Sequence, residues 1–387
     1  MKNARKIILG SCLLLLGGAV LHGCGTKKET VKLTQTKSGL VSELYQVKKN
    51  NAYHTQSEQL ADFVSSKMLT KKGIYTRYSS KTKLTQQGKD HRSILSESAG
   101  LWLQYLLASN QKEQFAKFYR QTKNTLYQEV GQFSYRYDPQ KKQLASVNAS
   151  LDDLRIMRAL SDYDVKYHSK KYQSELETLV QSFNKHLLKN SGELLSFYDA
   201  KSKKRSQDSP LAYYDFKTLR LFEDSSAQGK KLYHKQLKLV QGGYLGDAFP
   251  LYAAQFNGGQ KAYSTKNLNT SEALEVLLHL AEVGQLKTPS LAWLKDQVDR
   301  QNLRNAYTVN GQMVDSANSA GNYALAALIF AVKGNNEYYN KAMKLVFAQQ
   351  ITEKRSTLFG ALSQPPLEVS YSFNNLTSLL AAQAAEN

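Results

Sequence analysis

The sequence predicts an all-α domain built from paired helices. Apolar residues recur at helical spacing along most of the chain, and sustained alternating patterns typical of strands are scarce. Short breaks rich in Gly, Asn, Ser or Pro separate the apolar segments, so consecutive helices are expected to pair as hairpins. The periodicity alone leaves two architectures open, an α-solenoid and a closed barrel of six hairpins.

The expected helices follow in chain order. In the first, Leu60 and Val64 fall on one face. The segment 270–284 follows Asn269, with Glu272 three residues later, a pattern that predicts a reciprocal N-terminal cap. The predicted helices are 57–69, 93–108, 112–129, 150–163, 171–188, 211–222, 228–240, 248–257, 270–284, 289–303, 317–333, 336–349 and 372–384.

Turn-forming residues mark the breaks between these helices. Examples are Gly242-Gly243, Asn257-Gly258-Gly259 and Gln364-Pro365-Pro366. No segment repeats strictly enough to indicate a solenoid, so the choice of a closed barrel depends on motifs.

The N-terminal region predicts export. A basic start precedes an apolar run at 7–21, which is short for a membrane span and suits a signal peptide. Leu21-His22-Gly23-Cys24 resembles a bacterial lipoprotein cleavage site, at which the Cys24 thiol receives a diacylglyceryl group, although His22 is unusual there. An uncleaved anchor helix is the alternative. We predict a signal peptide at 1–23, a polar tether rich in Lys and Thr at 24–52, and a folded domain at 53–387 on the outer face of the cell membrane.

Composition narrows the classes of partner. The 387 residues are 41% hydrophobic and 22% charged, which excludes disorder of the whole chain. A net charge of +20 would suit nucleic acid, an anionic membrane face or an acidic polymer. The lysines are scattered and form no nucleic-acid-binding module, so we expect a solvated surface suited to an anionic cell envelope, no nucleic-acid partner and a monomer.

Cofactor and metal chemistry find little support in the sequence. The cysteines, Cys12 and Cys24, leave the mature domain without a disulfide or a thiol nucleophile. The seven histidines show no metal-ligand spacing, and no Gly-rich phosphate loop appears. We expect no cofactor and no metal.

Three windows carry a resemblance. The first, from Ser96 to Leu103, reads Ser-Glu-Ser-Ala-Gly-Leu-Trp-Leu and resembles the Ser-Glu-Gly-x-Gly-Tyr-Gly-Met segment of the family 8 glycoside hydrolases, whose glutamate is the general acid. The segment 114–119 follows at the expected interval and is similar to the family's Phe-x-x-(Leu/Phe)-(Trp/Tyr). The resemblance gives Glu97 the role of general acid, in apolar surroundings that would raise its pKa.

The second window, 148–160, resembles the family signature Ala-(Ser/Thr)-Asp-(Ala/Gly)-Asp-x-x-Ile-Ala. Asp153 matches its second aspartate. The first aspartate, which contacts the sugar at the cleavage point in the family, falls on Leu151. Asp152 is the next residue and could replace it only if the entrance of the helix were rotated or shifted.

The third window, 213–221, is similar to the family's Tyr-Asp-Ala-x-Arg-(Val/Thr), in which the aspartate is the general base. Asp215 matches the base, and Thr218 stands at the arginine position between Lys217 and Arg220, whose charges could keep Asp215 ionised. Weaker similarities appear at 319–326 and 371–380, so the matching windows follow the family order along most of the mature chain.

The resemblance implies an (α/α)6 barrel and an endo-acting, inverting hydrolase of a β-linked polysaccharide, with β-1,4 linkages and the cell's own exopolysaccharide as expected targets. The alternative is a catalytically impaired polysaccharide-binding or assembly lipoprotein, for which Leu151 and Thr218 are the evidence. A peptide-binding helical scaffold is a third possibility, and both Glu97 and Asp215 are also residues that commonly cap helices. The predicted site residues are Glu97 and Asp215 for catalysis, Asp152, Asp153, Trp102, Tyr214 and Arg220 for substrate binding, and Cys24 for lipidation.

Overall fold

Helices dominate the computed structural model, which describes residues 41–79, 92–223, 227–363 and 368–386. These residues fall within one compact unit, Val31–Asn387. The predicted signal peptide, Cys24 and most of the predicted tether lie outside the described residues. Within the described ranges, no helix has the length and apolar character needed to cross a membrane.

Twelve α-helices occupy the described residues. Most of the predicted helices appear close to their expected positions, which confirms the all-α class. The helices are α1 His54–Phe63, α2 Ser96–Ala108, α3 Lys112–Leu126, α4 Ser150–Lys166, α5 Gln173–Leu187, α6 Phe216–Leu219, α7 Ala227–Gly242, α8 Thr270–Glu282, α9 Thr288–Asp299, α10 Ala320–Val332, α11 Asn336–Phe347 and α12 Ser372–Glu386.

The even-numbered helices form a closed inner ring. In the order α2, α4, α6, α8, α10 and α12, each contacts the next, and α12 returns to α2. Helices α1, α3, α5 and α11 pack against the outside of this ring. Every residue of α10 is buried, whereas α3 buries only one face, as expected for inner and outer helices respectively. Because the ring closes on itself, the fold is the (α/α)6 barrel and not an α-solenoid.

The first turns of the inner helices lie at one end of the ring. The Ser96 hydroxyl at the start of α2 donates to the Asp152 carboxylate in the first turn of α4, at 2.7 Å. The Ser98 and Ser372 hydroxyls, in the first turns of α2 and α12, are 2.9 Å apart. These helices therefore run in the same direction, and their N-termini share one face of the domain.

Short strands connect the helices and build small antiparallel sheets. Several strands lead directly into inner helices, so the sheets surround the face that holds the helix N-termini. The strands are β1 Leu69–Thr70, β2 Gly73–Ile74, β3 Arg77–Ser79, β4 Ile94–Leu95, β5 Tyr127–Gln128, β6 Gln132–Phe133, β7 Arg136–Asp138, β8 Gln143–Leu144, β9 Asp208–Pro210, β10 Gln255–Asn257, β11 Ala262–Tyr263, β12 Leu268–Asn269, β13 Arg304–Tyr307, β14 Met313–Asn318 and β15 Val369–Tyr371.

The segment before α1 crosses the opposite end of the ring. The Gln46 amide donates to the Ala331 carbonyl at 2.8 Å, and the Asn50 amide donates to the Ala385 carbonyl at 2.9 Å. Ala331 and Ala385 belong to the last turns of α10 and α12. The chain therefore enters the domain at the end away from the helix N-termini.

The predicted helix at 248–257 is wrong. This stretch is extended and ends in β10. Pro250 lacks the amide hydrogen that a helix interior requires, and the neighbouring Leu251, Tyr252 and Ala253 are all buried, so the segment packs on every side. The predicted helix at 211–222 is also shorter than expected, because only α6 within it is α-helical and 3₁₀ turns flank it.

The N-terminal caps provide a prediction on stability. The Asn269 side chain accepts from the Ser271 and Glu272 amides, which confirms the asparagine half of the predicted cap on α8. Asn335 caps α11 in the same way, by accepting from the Tyr338 amide at 3.2 Å. We expect Asn335→Ala to lower the free energy of unfolding by about 1 kcal/mol in urea titration, and Asn335→Ser to lose much less. Equal losses in the two variants would contradict a capping role.

Candidate active site

Glu97 lies in the first turn of α2, at the face where the inner helices begin. Gly100, one turn further along, lets α2 approach α4 closely, because a Cβ at this position would lie 2.6 Å from the Cβ of Arg155. Burial raises the pKa of the half-buried Glu97 carboxyl to about 7; Arg155 opposes this rise, and the charges of Asp152 and Glu275 add to it. Glu97 can therefore carry a proton near neutral pH.

Asp152 lies directly beside Glu97. Its carboxylate accepts from the Ser96 hydroxyl at 2.7 Å, from the Glu97 backbone amide, and from Arg155 at 2.8 Å. Leu151 is turned into the core and is 2% exposed. The start of α4 thus presents Asp152, and not Leu151, to the first turn of α2 beside Glu97.

Two layers of buried ion pairs extend inward along α4 and α8. In the first, Arg155 bridges Asp152 and Glu275. In the second, one turn further along α4, Arg158 contacts Glu282 at 2.8 Å. The spacing of three residues on α4 and seven on α8 keeps each Arg opposite its Glu, since both spacings return to about the same helix face.

Asp215 belongs to the second layer. It caps α6, where its carboxylate accepts from the Thr218 amide at 3.0 Å and from the Thr218 hydroxyl. Arg158 lies 3.7 Å from it, and the carboxylate is 1% exposed. Burial alone would raise the pKa of Asp215, but Arg158 and the hydrogen bonds from Thr218 lower it below its usual value, so the group is ionised.

The pKa values of these buried carboxyls are therefore shifted in opposite directions. Burial raises the pKa of Glu275 to about 7, and it raises the pKa of Asp152 as well. Asp215 alone in this group has a lowered pKa. His279, between the two layers on α8, has its pKa lowered to about 4 by burial and is neutral. Carboxyls with opposite shifts are the usual basis of an acid and base division of labour.

A small cavity of about 50 Å³ lies between the two layers and is lined by residues of both. Arg155, Asp215, Glu275 and His279 contribute to its lining, and Tyr45 of the N-terminal segment lies at its far end. Such a volume holds one or two water molecules. The cavity brings Asp215 into one space with Arg155, which in turn contacts Asp152 beside Glu97.

The other predicted site residues lie elsewhere. Asp153 is buried and accepts from the Phe133 amide and the Asn148 side chain, at 3.0 and 2.7 Å. Trp102 is buried and stacks on Tyr105. The hydroxyl of the buried Tyr214 lies 2.7 Å from that of Ser209, and Arg220 is placed over the Tyr233 ring. Each of these contacts is made with a residue outside the cluster of Glu97, Asp152 and Arg155.

Sequence reasoning missed several members of this cluster. Arg155, Glu275, His279 and Glu282 were not predicted as site residues. Tyr213 also lies close to this cluster, since burial and the charge of Asp152 raise its pKa. A signal was present in α8, because three Glu and one His interrupt an apolar helix that a core would otherwise fill with hydrophobic residues. The described residues contain no group of His, Cys, Asp and Glu that could hold a metal ion.

Comparisons with known proteins agree with this architecture. No sequence-family model matches the chain. A solved structure described as a novel alpha-amylase from Clostridium perfringens superposes with a TM-score of 0.79 and 27% identity, covering 87% of this chain and 99% of that one. The endoglucanase Cel10 of Klebsiella pneumoniae, a family 8 glycosyl hydrolase, superposes with a TM-score of 0.60 and 17% identity, covering 84% of this chain and 99% of its own.

The chain has the fold of the family 8 glycoside hydrolases. This likeness confirms the family 8 resemblance and the (α/α)6 class that the sequence motifs predicted. A curated relative, named "Putative lipoprotein YdaJ", from Bacillus subtilis strain 168, is 24% identical over 311 residues, which cover 77% of this chain and 81% of that protein.

Proposed function

We propose that this protein is an extracytoplasmic, endo-acting polysaccharide hydrolase that inverts the anomeric centre, with Glu97 as general acid and Asp215 as general base. The opposite pKa shifts of the two carboxyls carry the proposal. The pKa of Glu97 is raised to about 7, so this carboxyl can hold a proton, whereas the pKa of Asp215 is lowered, so this group stays ionised. An inverting glycosidase needs this combination on the two sides of the scissile bond.

The proposed reaction uses one proton donor and one acceptor. Glu97 gives its proton to the glycosidic oxygen as the bond to the anomeric carbon breaks. A water molecule adds to that carbon from the opposite face, and its proton passes to Asp215. Arg155 lies between the proposed acid and the proposed base, because it contacts Asp152 beside Glu97 and lines the same cavity as Asp215.

The linkage of the polymer has two candidates. The sequence motifs favour a β-1,4-linked polysaccharide, as in the family whose windows they match. The stronger structural likeness to a protein described as an alpha-amylase favours an α-linked glucan. Both classes belong in the first substrate panel, with the α-glucan first.

A second candidate function is glycan binding without turnover. The burial of Asp215 favours it, since a carboxylate held by Thr218 and Arg158 and 1% exposed has little room for a substrate water. A site that kept sugar contacts and lost the base would bind without accelerating cleavage.

The attachment of the chain supports a role at the cell surface. We propose lipidation at Cys24 followed by the tether, in line with the name of the Bacillus relative.

The deciding experiment is a reducing-end assay on purified chain from Lys27 onward. The panel contains starch, glycogen, β-1,4-glucan, xylan, chitosan and the host exopolysaccharide. Release of new reducing ends that Glu97→Gln and Asp215→Asn both abolish would support the hydrolase. Absence of release from every polymer, with binding retained in wild type and variants, would replace the proposal with the non-catalytic function.

The pH profile gives a further prediction. Activity requires protonated Glu97 and ionised Asp215. Because the pKa of Asp215 lies below its usual value and that of Glu97 is about 7, kcat/KM should stay flat through the mildly acidic range and fall above pH 7, where Glu97 loses its proton. In Glu275→Gln one of the negative charges near Glu97 is removed and Arg155 keeps only Asp152 as a partner, so the alkaline limb should move to lower pH by up to about one unit. A limb that stays in place would show that Glu97 does not set it.

A further inference from the structure

A second, larger cavity lies beside the carboxylate cluster. It is a cleft of about 830 Å³ at the N-terminal ends of α8, α10 and α12, bounded by the hairpin of β13 and β14. Its volume falls in the upper part of the range of about 300 to 1,000 Å³ that ligand pockets show. The cleft is therefore large enough for an oligomeric ligand.

Seven of the nineteen described residues that line the cleft are Asn or Gln, and two are aromatic. Asn305, Asn322 and Asn374 contribute side-chain amides, and Tyr371 and Phe373 contribute rings. An amide both donates and accepts, so it can pair with sugar hydroxyls, which do the same. Rings beside such groups can cover the apolar face of a sugar.

The charge of the cleft contrasts with that of the chain. Although the chain carries a net charge of +20, neither Lys nor Arg occurs among the described residues that line the cleft. Asp315 is the carboxylate in this lining, and it accepts from the Ala317 amide at 2.9 Å within its own strand. An anionic polymer would need cations here, and a cationic one would need more than a single carboxylate.

The cleft adjoins the carboxylate cluster. Ser372, between the two lining residues Tyr371 and Phe373, contacts Ser98, the residue that follows Glu97. On the other side, the lining residue Ser271 precedes Glu272, whose charge acts on Glu97. A chain lying in the cleft would therefore run past Glu97.

The cleft is preorganised. The Asn322 side chain donates to that of Asn305 at 3.1 Å. Gly321 leaves room for the neighbouring lining, because a Cβ there would lie 2.5 Å from the Asn374 side-chain oxygen and 3.0 Å from the Phe373 ring. Tyr371, at the rim, is 42% exposed and available to a ligand.

We infer that this cleft binds a run of uncharged sugar residues on one side of Glu97, so that the polymer is a neutral glycan. That cleavage takes place at Glu97 depends on the proposed function. The class of ligand is inferred from the residues that line the cleft and does not depend on it. It excludes polyuronates and chitosan as the polymer that the cleft holds.

Binding to the full chain carrying Glu97→Gln tests the inference, because substrate is not consumed. Titration calorimetry would compare maltohexaose, cellohexaose and xylohexaose with oligogalacturonate and chitosan hexamer. We expect a neutral hexamer to bind, and Tyr371→Ala and Asn374→Ala each to weaken it at least about fivefold. Phe197→Ala, at an exposed ring outside the cleft, is the matched control and should change nothing.

The outcomes separate this inference from the proposed function. Binding of a neutral hexamer that depends on Tyr371 and Asn374, without hydrolysis by wild type, would keep the cleft assignment and end the catalytic proposal. Hydrolysis that Tyr371→Ala and Asn374→Ala leave unchanged on a neutral polymer, in KM as well as kcat, would overturn the cleft assignment. Tighter binding of a charged hexamer than of every neutral one would also overturn it.

Discussion

Glu97→Gln should lower kcat on the cleaved polymer by about 10²- to 10⁴-fold and leave the affinity for oligosaccharides nearly unchanged. Glutamine keeps the shape of the side chain and its hydrogen bonding but cannot transfer a proton. Burial already favours the uncharged form of Glu97 at neutral pH, so the neutral amide should be accepted without loss of the fold. The measurement is steady-state kinetics with a thermal unfolding scan of both proteins.

A substrate with an activated leaving group sharpens this test. A fluorophenyl or nitrophenyl glycoside of the cleaved sugar needs little protonation as it departs, so Glu97→Gln should recover much of its rate on that substrate. Asp215→Asn should not recover, because the base acts on water and not on the leaving group. Equal losses by Glu97→Gln on both substrates would remove the role of general acid.

The helical ring could be predicted because its inner and outer members leave different patterns. Residues of α10 are apolar on all sides, and those of α3 are apolar on one side, which matches their positions in the ring. The stretch at 248–257 misled the prediction, since a short apolar run looks the same whether it is a buried helix or a buried extended segment. Pro250 was the signal that favoured the extended form.

The site was predicted in outline, and its details depended on helix register. Leu151 and Asp152 differ by about 100° around α4, so the point at which the helix starts decides which of them reaches Glu97. The structure starts α4 at Ser150, which puts Asp152 against the first turn of α2. A motif matched by position could not determine this rotation.

The motifs could not predict ion pairs between residues that are distant in sequence. Arg155 and Glu275 are 120 residues apart and meet only when the ring closes. Lys217 and Arg220 were expected to keep Asp215 ionised, but Arg158 from α4 is the guanidinium that lies against it. The motifs located the carboxylates correctly, but the cation that pairs with Asp215 comes from a different helix and not from its neighbours in sequence.

The second layer of ion pairs should dominate stability. Arg158 is buried between Glu282 and Asp215, at 2.8 and 3.7 Å. Arg158→Met would leave two buried carboxylates without their cation, which we expect to lower the free energy of unfolding by about 3 to 5 kcal/mol at pH 7. Arg300→Met removes a pair whose side chains are 72% and 44% exposed, and should cost less than about 0.5 kcal/mol in the same urea titration.

The pH dependence of this deficit follows from linkage. In wild type the lowered pKa of Asp215 contributes stability that is lost as the pH falls through that value. In Arg158→Met both carboxyls have raised pKa values, so the variant loses stability as the pH rises through them. The first effect acts only below the usual pKa of an aspartate, at a pH lower than 5. Between pH 5 and pH 8 the second effect alone changes the stability difference between variant and wild type, making it smaller at pH 5 and larger at pH 8. A stability difference between variant and wild type that is small at pH 7 and constant with pH would mean that water, and not Arg158, balances these charges. The ionised state assigned to Asp215 would then lose its physical basis.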